Sequence, residues 1–130
     1  MGRHMNLYLI CPVRRATDED KHKLADYVAK LEGEGHEVFW PGRDNVWEGH
    51  DFTGKLIMLA NYHAIKAADT VAVFWRREST GSKADLGMAH ALKKPLMVLE
   101  LEGDVNKAGP NFETWIRDWP WGVRFWETRA

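Results

Sequence analysis

The stretch TVAVFWRRESTGSKADLGMAHALKKPLMVLEL, residues 70–101, shows how this chain is built. It opens on TVAVFW (70–75), an apolar run without polar alternation, the pattern of a strand covered on both faces. It closes on a second apolar run, PLMVLEL (95–101). Between them, residues 82–93 read as a helix that starts behind a cluster of Ser, Thr and Gly. Strand, turn, helix and strand make a βαβ unit, which predicts parallel pairing through a right-handed crossover.

The pattern extends in both directions. Upstream, NLYLIC (6–11) is an apolar run ended by Pro12, and HEVFW (36–40) is one ended by Pro41 and Gly42, so both read as strands. Residues 17–34 read as a helix, with Leu24, Tyr27, Val28 and Leu31 at helical spacing and Gly33 and Gly35 as stops. Residues 41–50 read as a polar loop. Residues 51–68 read as a helix whose buried stripe is expected to be Leu56, Leu59, Ala60, His63 and Ala67. The tail, 102–130, begins polar and then sets Trp115, Trp119, Trp121 and Trp126 close together; a short helix over 111–119 and a last strand over 123–126 are expected. These tryptophans read as closing the core or forming a subunit contact, with stacking on a base as the alternative. Alternating strands and helices predict an α/β domain with a mostly parallel sheet of four to five strands. Ligands in such sheets sit at the carboxyl ends of strands, where the order reverses. Residues 12–17 and 76–82 belong to that edge.

Composition narrows the class of partner. A chain of 130 residues is the size of one domain. A formal net charge of −1 supplies no basic field for a nucleic-acid polymer. No apolar run approaches the roughly 20 residues that cross a bilayer. MGRHM (1–5) carries two methionines and reads as a cloning remnant; Met5 is taken as the native start, the domain as 6–130, and no signal peptide is expected. The lone cysteine, Cys11, forms no intramolecular disulfide and fits a reducing, cytoplasmic compartment.

The turn at 79–87 carries the chemistry. A helix starting near Ser82 points free N–H groups at residues 78–81, a site for an anion such as a phosphate. Ser79, Thr80 and Ser82 add hydroxyls, and Gly81 lets a ligand approach the backbone. Asp85 is then expected on the first turn, kept ionised by the helix dipole and able to attack an electrophilic carbon. The same residues also spell a capping box, Ser82-Lys83-Ala84-Asp85, just as Thr17–Asp20 does at the first helix. In CPVRRAT, Arg14 and Arg15 read either as a phosphate fork or as solvated arginines. Tyr8 reads as a core tyrosine whose hydroxyl finds a partner. The histidines show no HxxxH or HExxH spacing, and Cys11 reads as a small buried residue. GxGxxG and GKS/GKT are absent from the sequence.

From about Leu7 to Val98 the chain resembles the nucleoside 2-deoxyribosyltransferase superfamily, including its 2′-deoxynucleoside 5′-monophosphate N-glycosidase branch. LYLICP (7–12) resembles the family's first strand, NYHAIKAAD (61–69) its helix motif, and STGSKADLGMAHA (79–91) its S-x-G-x-x-x-E-L-G-x-A-x-A turn. The resemblance implies a single-domain, flavodoxin-like or Rossmann-like three-layer sandwich. It implies Asp85 as the nucleophile on C1′, Tyr8 beside it, and Asn61 assisting at base or sugar. It implies Arg14, Ser79 and Gly81 at the 5′-phosphate, and Pro12, Arg15, Ser82 and Gly87 complete the expected substrate set. No metal or organic cofactor is implied, because the leaving base carries off the bonding electrons. The loop PGRDNVWEGHD (41–51) is expected to cover the base, with Trp47 or Trp40 for stacking and Asp44 or Asp51 for hydrogen bonds. A homodimer or larger homo-oligomer is expected, with a neighbouring subunit completing the pocket.

Two residues depart from the family pattern. Asp85 stands for Glu, one methylene shorter, and a misplacement of about 1 Å can cost roughly 10²-fold in rate. Asn61 stands for Asp and cannot carry a proton. An enzyme that breaks the N-glycosidic bond of a nucleoside or its 5′-monophosphate is the first reading. A nucleotide-binding protein that senses or sequesters without cleaving is the second, and a structural subunit docking through its tryptophan tail the third.

Overall fold

The structure, a computed structural model, describes residues 4–103 and 110–126. Five strands form one sheet in the order β2-β1-β3-β4-β5, every neighbouring pair parallel. The strands are β1 (Asn6–Ile10), β2 (Glu37–Phe39), β3 (Thr70–Trp75), β4 (Leu96–Leu101) and β5 (Val123–Phe125). The helices are α1 (Asp18–Gly33), α2 (Pro41–Asp44), α3 (Lys55–Ala67), α4 (Thr80–Ala91) and α5 (Phe112–Arg117).

Side-chain alternation along the strands builds three layers. Leu7 and Leu9 of β1, with Cys11 just beyond its end, join Leu24, Val28 and Leu31 of α1 on one face. Tyr8 and Ile10 point the other way, into a core with Ile65 of α3, Leu86 and Ala89 of α4, and Ile116 of α5. All six residues of β3 are buried, as its unbroken apolar run predicts. The result is a single-domain, Rossmann-like or flavodoxin-like sandwich. After β2 the chain returns across β1 to begin β3, so the order reverses between β1 and β3. The carboxyl ends of those two strands flank the switch point where such sheets bind ligands.

Several local expectations change. α4 starts at Thr80, two residues earlier than the expected 82, because Ser79 and not Ser82 is the cap: the Ser79 Oγ accepts the Ser82 N–H at 3.3 Å. The Ser82–Asp85 capping box is therefore not formed, whereas the Thr17–Asp20 box at α1 is. α3 starts at Lys55, and Asp51 precedes it as an acceptor for the N–H groups of Leu56 and Ile57. Residues 41–44, expected as loop, form the short α2, in which Asp44 accepts the Trp40 N–H at 2.9 Å. The expected stripe on α3 is rotated: Asn61 and Ile65 are buried, while Leu59 is 51% exposed. Of the tail tryptophans, Trp119 closes the core, its indole N–H donating to the Lys94 carbonyl at 2.8 Å. Trp115 and Trp121 remain exposed.

Candidate active site

The site is assembled where β1 and α4 face each other. Tyr8 alternates into the α4 side of the sheet and is wholly buried. Asp85 lies on the second turn of α4, because Ser79 sets the helix start, and its side of the helix packs toward β1. The Tyr8 hydroxyl donates to Asp85 Oδ2 at 2.7 Å. Asp85 is 6% exposed, and that burial pushes its carboxyl up to about 6. Hydrogen bonds from Tyr8 and Asn61 act in the opposite direction, and the negative charge of Glu48 pushes upward again. The helix dipole is thus not what governs Asp85, as its sequence position suggested. Burial dominates, and the carboxyl still ionises at neutral pH.

The neighbours of Asp85 are held in defined protonation states. Burial first, then the Asp85 charge, drive the Tyr8 phenol upward, so it remains a donor. Burial and the same charge drive the Cys11 thiol upward, so it is no nucleophile at neutral pH. Asn61 is buried, and its Oδ1 accepts from the Asn45 amide at 2.8 Å. Its own amide hydrogens are left to serve Asp85.

In front of Asp85 is a cavity of about 380 Å³, within the range of small-molecule pockets. Arg14, Arg15, Asn61, Ser79, Gly81 and Asp85, all singled out in the sequence, line it. Tyr8 stands behind Asp85 as its hydrogen-bond donor. Thr80 and Gly81 form the first turn of α4 on the cavity wall, so the free N–H groups of that turn open toward it. A Cβ built at Gly81 would meet nothing within 4 Å, so the space there is open. Among the described residues neither Arg14 nor Arg15 pairs with a carboxylate, unlike Arg43 and Arg76. Two uncompensated guanidinium groups and a helix start make this end of the cavity suited to an anion.

Other sequence-selected residues lie elsewhere. Pro12 lines a neighbouring hollow of about 1210 Å³, shared with Arg15 and Ser79, which does not reach Asp85. That hollow is larger, but the carboxylate opens onto the smaller one. Ser82 is buried with its hydroxyl 2.7 Å from the Ser79 Oγ, so it supports the turn and does not line the cavity. Gly87 sits on the exposed side of α4, and Trp47 is exposed outside the cavity wall. Trp40 packs against the α1-side core. The Asp44 carboxylate is taken up by the Trp40 N–H and the Arg43 guanidinium, that of Asp51 by backbone N–H groups, and neither residue lines the cavity.

Sequence reasoning passed over Asn45 and Glu48. Asn45 is 5% exposed; its amide also donates to the Ile57 carbonyl at 3.1 Å, and its Oδ1 accepts the Trp47 N–H at 2.9 Å. It therefore ties the 45–48 turn to α3, and Glu48, on that turn, lines the cavity. Both residues lie in a polar loop without periodicity, so no local pattern marks them.

No family model and no curated protein matches the chain by sequence. Solved structures do match it. A 2-deoxyribosyltransferase from Bacillus psychrosaccharolyticus superposes with a TM-score of 0.66 at 23% identity, over 78% of this chain and 77% of that one. The CMP N-glycosidase BcmB from Clostridium botulinum superposes with a TM-score of 0.60 at 20% identity, over 93% of this chain and 88% of that one. The chain has the fold that these two proteins share, across most of the length of each.

Proposed function

We propose that the chain is an N-glycosidic-bond enzyme of the nucleoside 2-deoxyribosyltransferase superfamily, acting on a nucleoside or nucleoside 5′-monophosphate. Asp85 attacks C1′ or stabilises the oxocarbenium-like transition state, and the base departs with the bonding electron pair. The observation that carries this reading is a buried carboxylate, held by a tyrosine at 2.7 Å, opening onto a ligand-sized cavity at the switch point of the sheet. Arg14, Ser79 and Gly81 are suited to a 5′-phosphate, which sets the sugar between that end and Asp85. The fold of two enzymes acting on this bond supports the reading. Incubating the protein with nucleosides and their monophosphates, with chromatography for free base, tests it. Intact ligand with a raised melting temperature would replace it with the binding-protein reading, which Asn61 favours by lacking a transferable proton.

Tyr8→Phe is expected to lower turnover at neutral pH by about tenfold or more, because the nucleophile loses its orienting donor. The direction with pH follows from Asp85. The ionised form is the reactive one, so activity should rise with pH through about 6 in the wild type. The Tyr8 hydrogen bond favours the ionised form, so its loss moves that rise to higher pH. A pH–rate profile of both proteins checks the shift.

The outer face of α3 and the segment before it carry Phe52, Leu56, Met58 and Leu59 exposed, and Met58 also lines the cavity. A second copy of the chain packed there would cover this apolar surface and close the cavity beside Met58. Leu59→Glu is expected to weaken self-association by about 30-fold or more, read by light scattering, with a parallel rise in KM. A wild type that scatters as a monomer at all concentrations would remove the homo-oligomer from this reading.

A further inference from the structure

We propose that Asn45 is a positioning residue for the nucleophile: it fixes which end of the Asn61 amide faces Asp85. The assignment rests on the reading of the site as an N-glycosidic-bond centre.

The two ends of an amide side chain differ. The nitrogen donates hydrogen bonds and the oxygen only accepts them. Turned one way, Asn61 offers Asp85 a donor, which holds the carboxylate in place and favours its ionised, reactive form. Turned the other way, it offers an oxygen, which repels a carboxylate and suits only a protonated acid. Nothing in Asn61 itself chooses between the two.

Asn45 has no such freedom, because backbone groups hold both of its ends. The Trp47 N–H can only donate, and it reaches Asn45 Oδ1 at 2.9 Å. The Ile57 carbonyl of α3 can only accept, and it takes the Asn45 amide at 3.1 Å. Reversing the Asn45 side chain would set N–H against N–H and oxygen against oxygen. The same amide nitrogen donates to Asn61 Oδ1 at 2.8 Å. The oxygen of Asn61 is therefore the end that faces Asn45, and its nitrogen is left to donate to Asp85. Asn45 and Asn61 are both buried, so bulk water does not compete for these bonds. Orientation thus passes from the backbone of the 45–48 turn and of α3, through two asparagines, to the carboxylate that Tyr8 holds from β1.

The charged and titratable groups around Asp85 are Tyr8 of β1, Cys11 just beyond it, Arg14 and Arg15 on the cavity wall, and Glu48 on the turn. Glu48 shares the turn with Asn45, whose carbonyl accepts the Glu48 N–H at 3.0 Å. Its negative charge pushes the Asp85 carboxyl up. A turn that merely loosened and let Glu48 withdraw would move Asp85 down, whereas loss of the Asn61 donor moves it up. The sign separates the two routes.

The test is a double-mutant cycle of Asn45→Ala and Asn61→Ala, with Asn45→Leu as a variant that keeps the buried volume. Each protein is read twice. One readout is the pH–rate profile for base release from a nucleoside monophosphate that the wild type cleaves. The other is the NMR titration of the Asp85 carboxyl carbon, assigned with Asp85→Asn. Wild type should titrate near 6 in both, and its Asn61 amide hydrogens should shift as Asp85 ionises. Asn45→Ala and Asn45→Leu should each raise both midpoints by about half a pH unit or more. Base release then falls by about threefold or more on the acid side and recovers toward the wild-type rate above about pH 8. In the Asn61→Ala background neither change should move the midpoints further. An Asp85 midpoint that stays or falls, a shift that persists without Asn61, or a wild-type Asn61 amide that ignores the Asp85 ionisation overturns the assignment and leaves Asn45 a structural tie of the turn. A wild type that releases no base overturns the enzymatic reading, and the carboxyl titration still decides whether Asn45 orients Asn61.

Discussion

Asp85→Asn is expected to leave less than about a thousandth of wild-type base release while making the protein more stable at neutral and alkaline pH. The loss follows from the chemistry: an amide neither attacks C1′ nor offsets its developing positive charge. The gain follows from burial. Asp85 is 6% exposed, and its carboxyl is raised to about 6 from the ordinary 3.8. A carboxyl whose folded value lies above its unfolded one favours the native state fully below the unfolded value. That advantage is lost as pH rises through the folded value. Above about pH 6, therefore, the wild type carries a burial penalty on the order of 3 kcal/mol. The substituted amide never ionises and still offers an oxygen to Tyr8. Thermal melts should show the variant higher by roughly 5 °C or more at about pH 8, with the difference fading by about pH 3. Unchanged base release would end the catalytic role of Asp85, and a variant less stable at alkaline pH would contradict the burial argument.

Trp75→Ala is expected to be the most destabilising single change near the site. Trp75 ends β3, is wholly buried, and donates its indole N–H to Glu113 Oε2 of α5 at 2.8 Å. Removing the ring costs about 3–5 kcal/mol in lost burial and residual cavity. Removing the donor leaves the buried Glu113 carboxylate, among the described residues, with the more distant Arg77 at 3.8 Å, and adds about 1–3 kcal/mol. The sum approaches half of a typical domain's stability of about 5–15 kcal/mol. Trp75→Phe separates the two contributions, since it keeps most of the apolar ring and loses the donor; its cost should be about 1–3 kcal/mol. Urea unfolding of the three proteins measures both, and equal midpoints for wild type and the phenylalanine variant would show that the Glu113 bond contributes nothing.

The sheet was legible because its signals are local. Residues 70–75 have no polar position, so both faces had to be covered, and they are. Pro12 and Pro41 end strand patterns that the structure also ends nearby. The face of α3 was not legible. Residues 56–60 (LIMLA) are apolar in succession, so the helical period has no phase there, and the stripe could be drawn through Leu56 and Leu59 as readily as through Ile57 and Asn61. The sheet settles it by burying Asn61 and Ile65. The start of α4 was ambiguous for a related reason. Ser79, Thr80 and Ser82 are all competent caps, and where β3 leaves the chain selects Ser79, which moves Asp85 from the first turn to the second.

The order of strands and helices, their parallel pairing and the turn that carries Asp85 could all be read along the chain, because periodicity, prolines and capping residues act over a few residues. What Asp85 is chemically could not, since it arises from packing. Its hydroxyl partner Tyr8 is 77 residues away, and its burial comes from contacts between β1, α3 and α4. Glu48 reaches the cavity only because Asn45 ties its turn to α3 across 16 residues at Asn61. Charge state depends on desolvation and on every neighbouring charge, and these are properties of the packed molecule that no short stretch of chain contains.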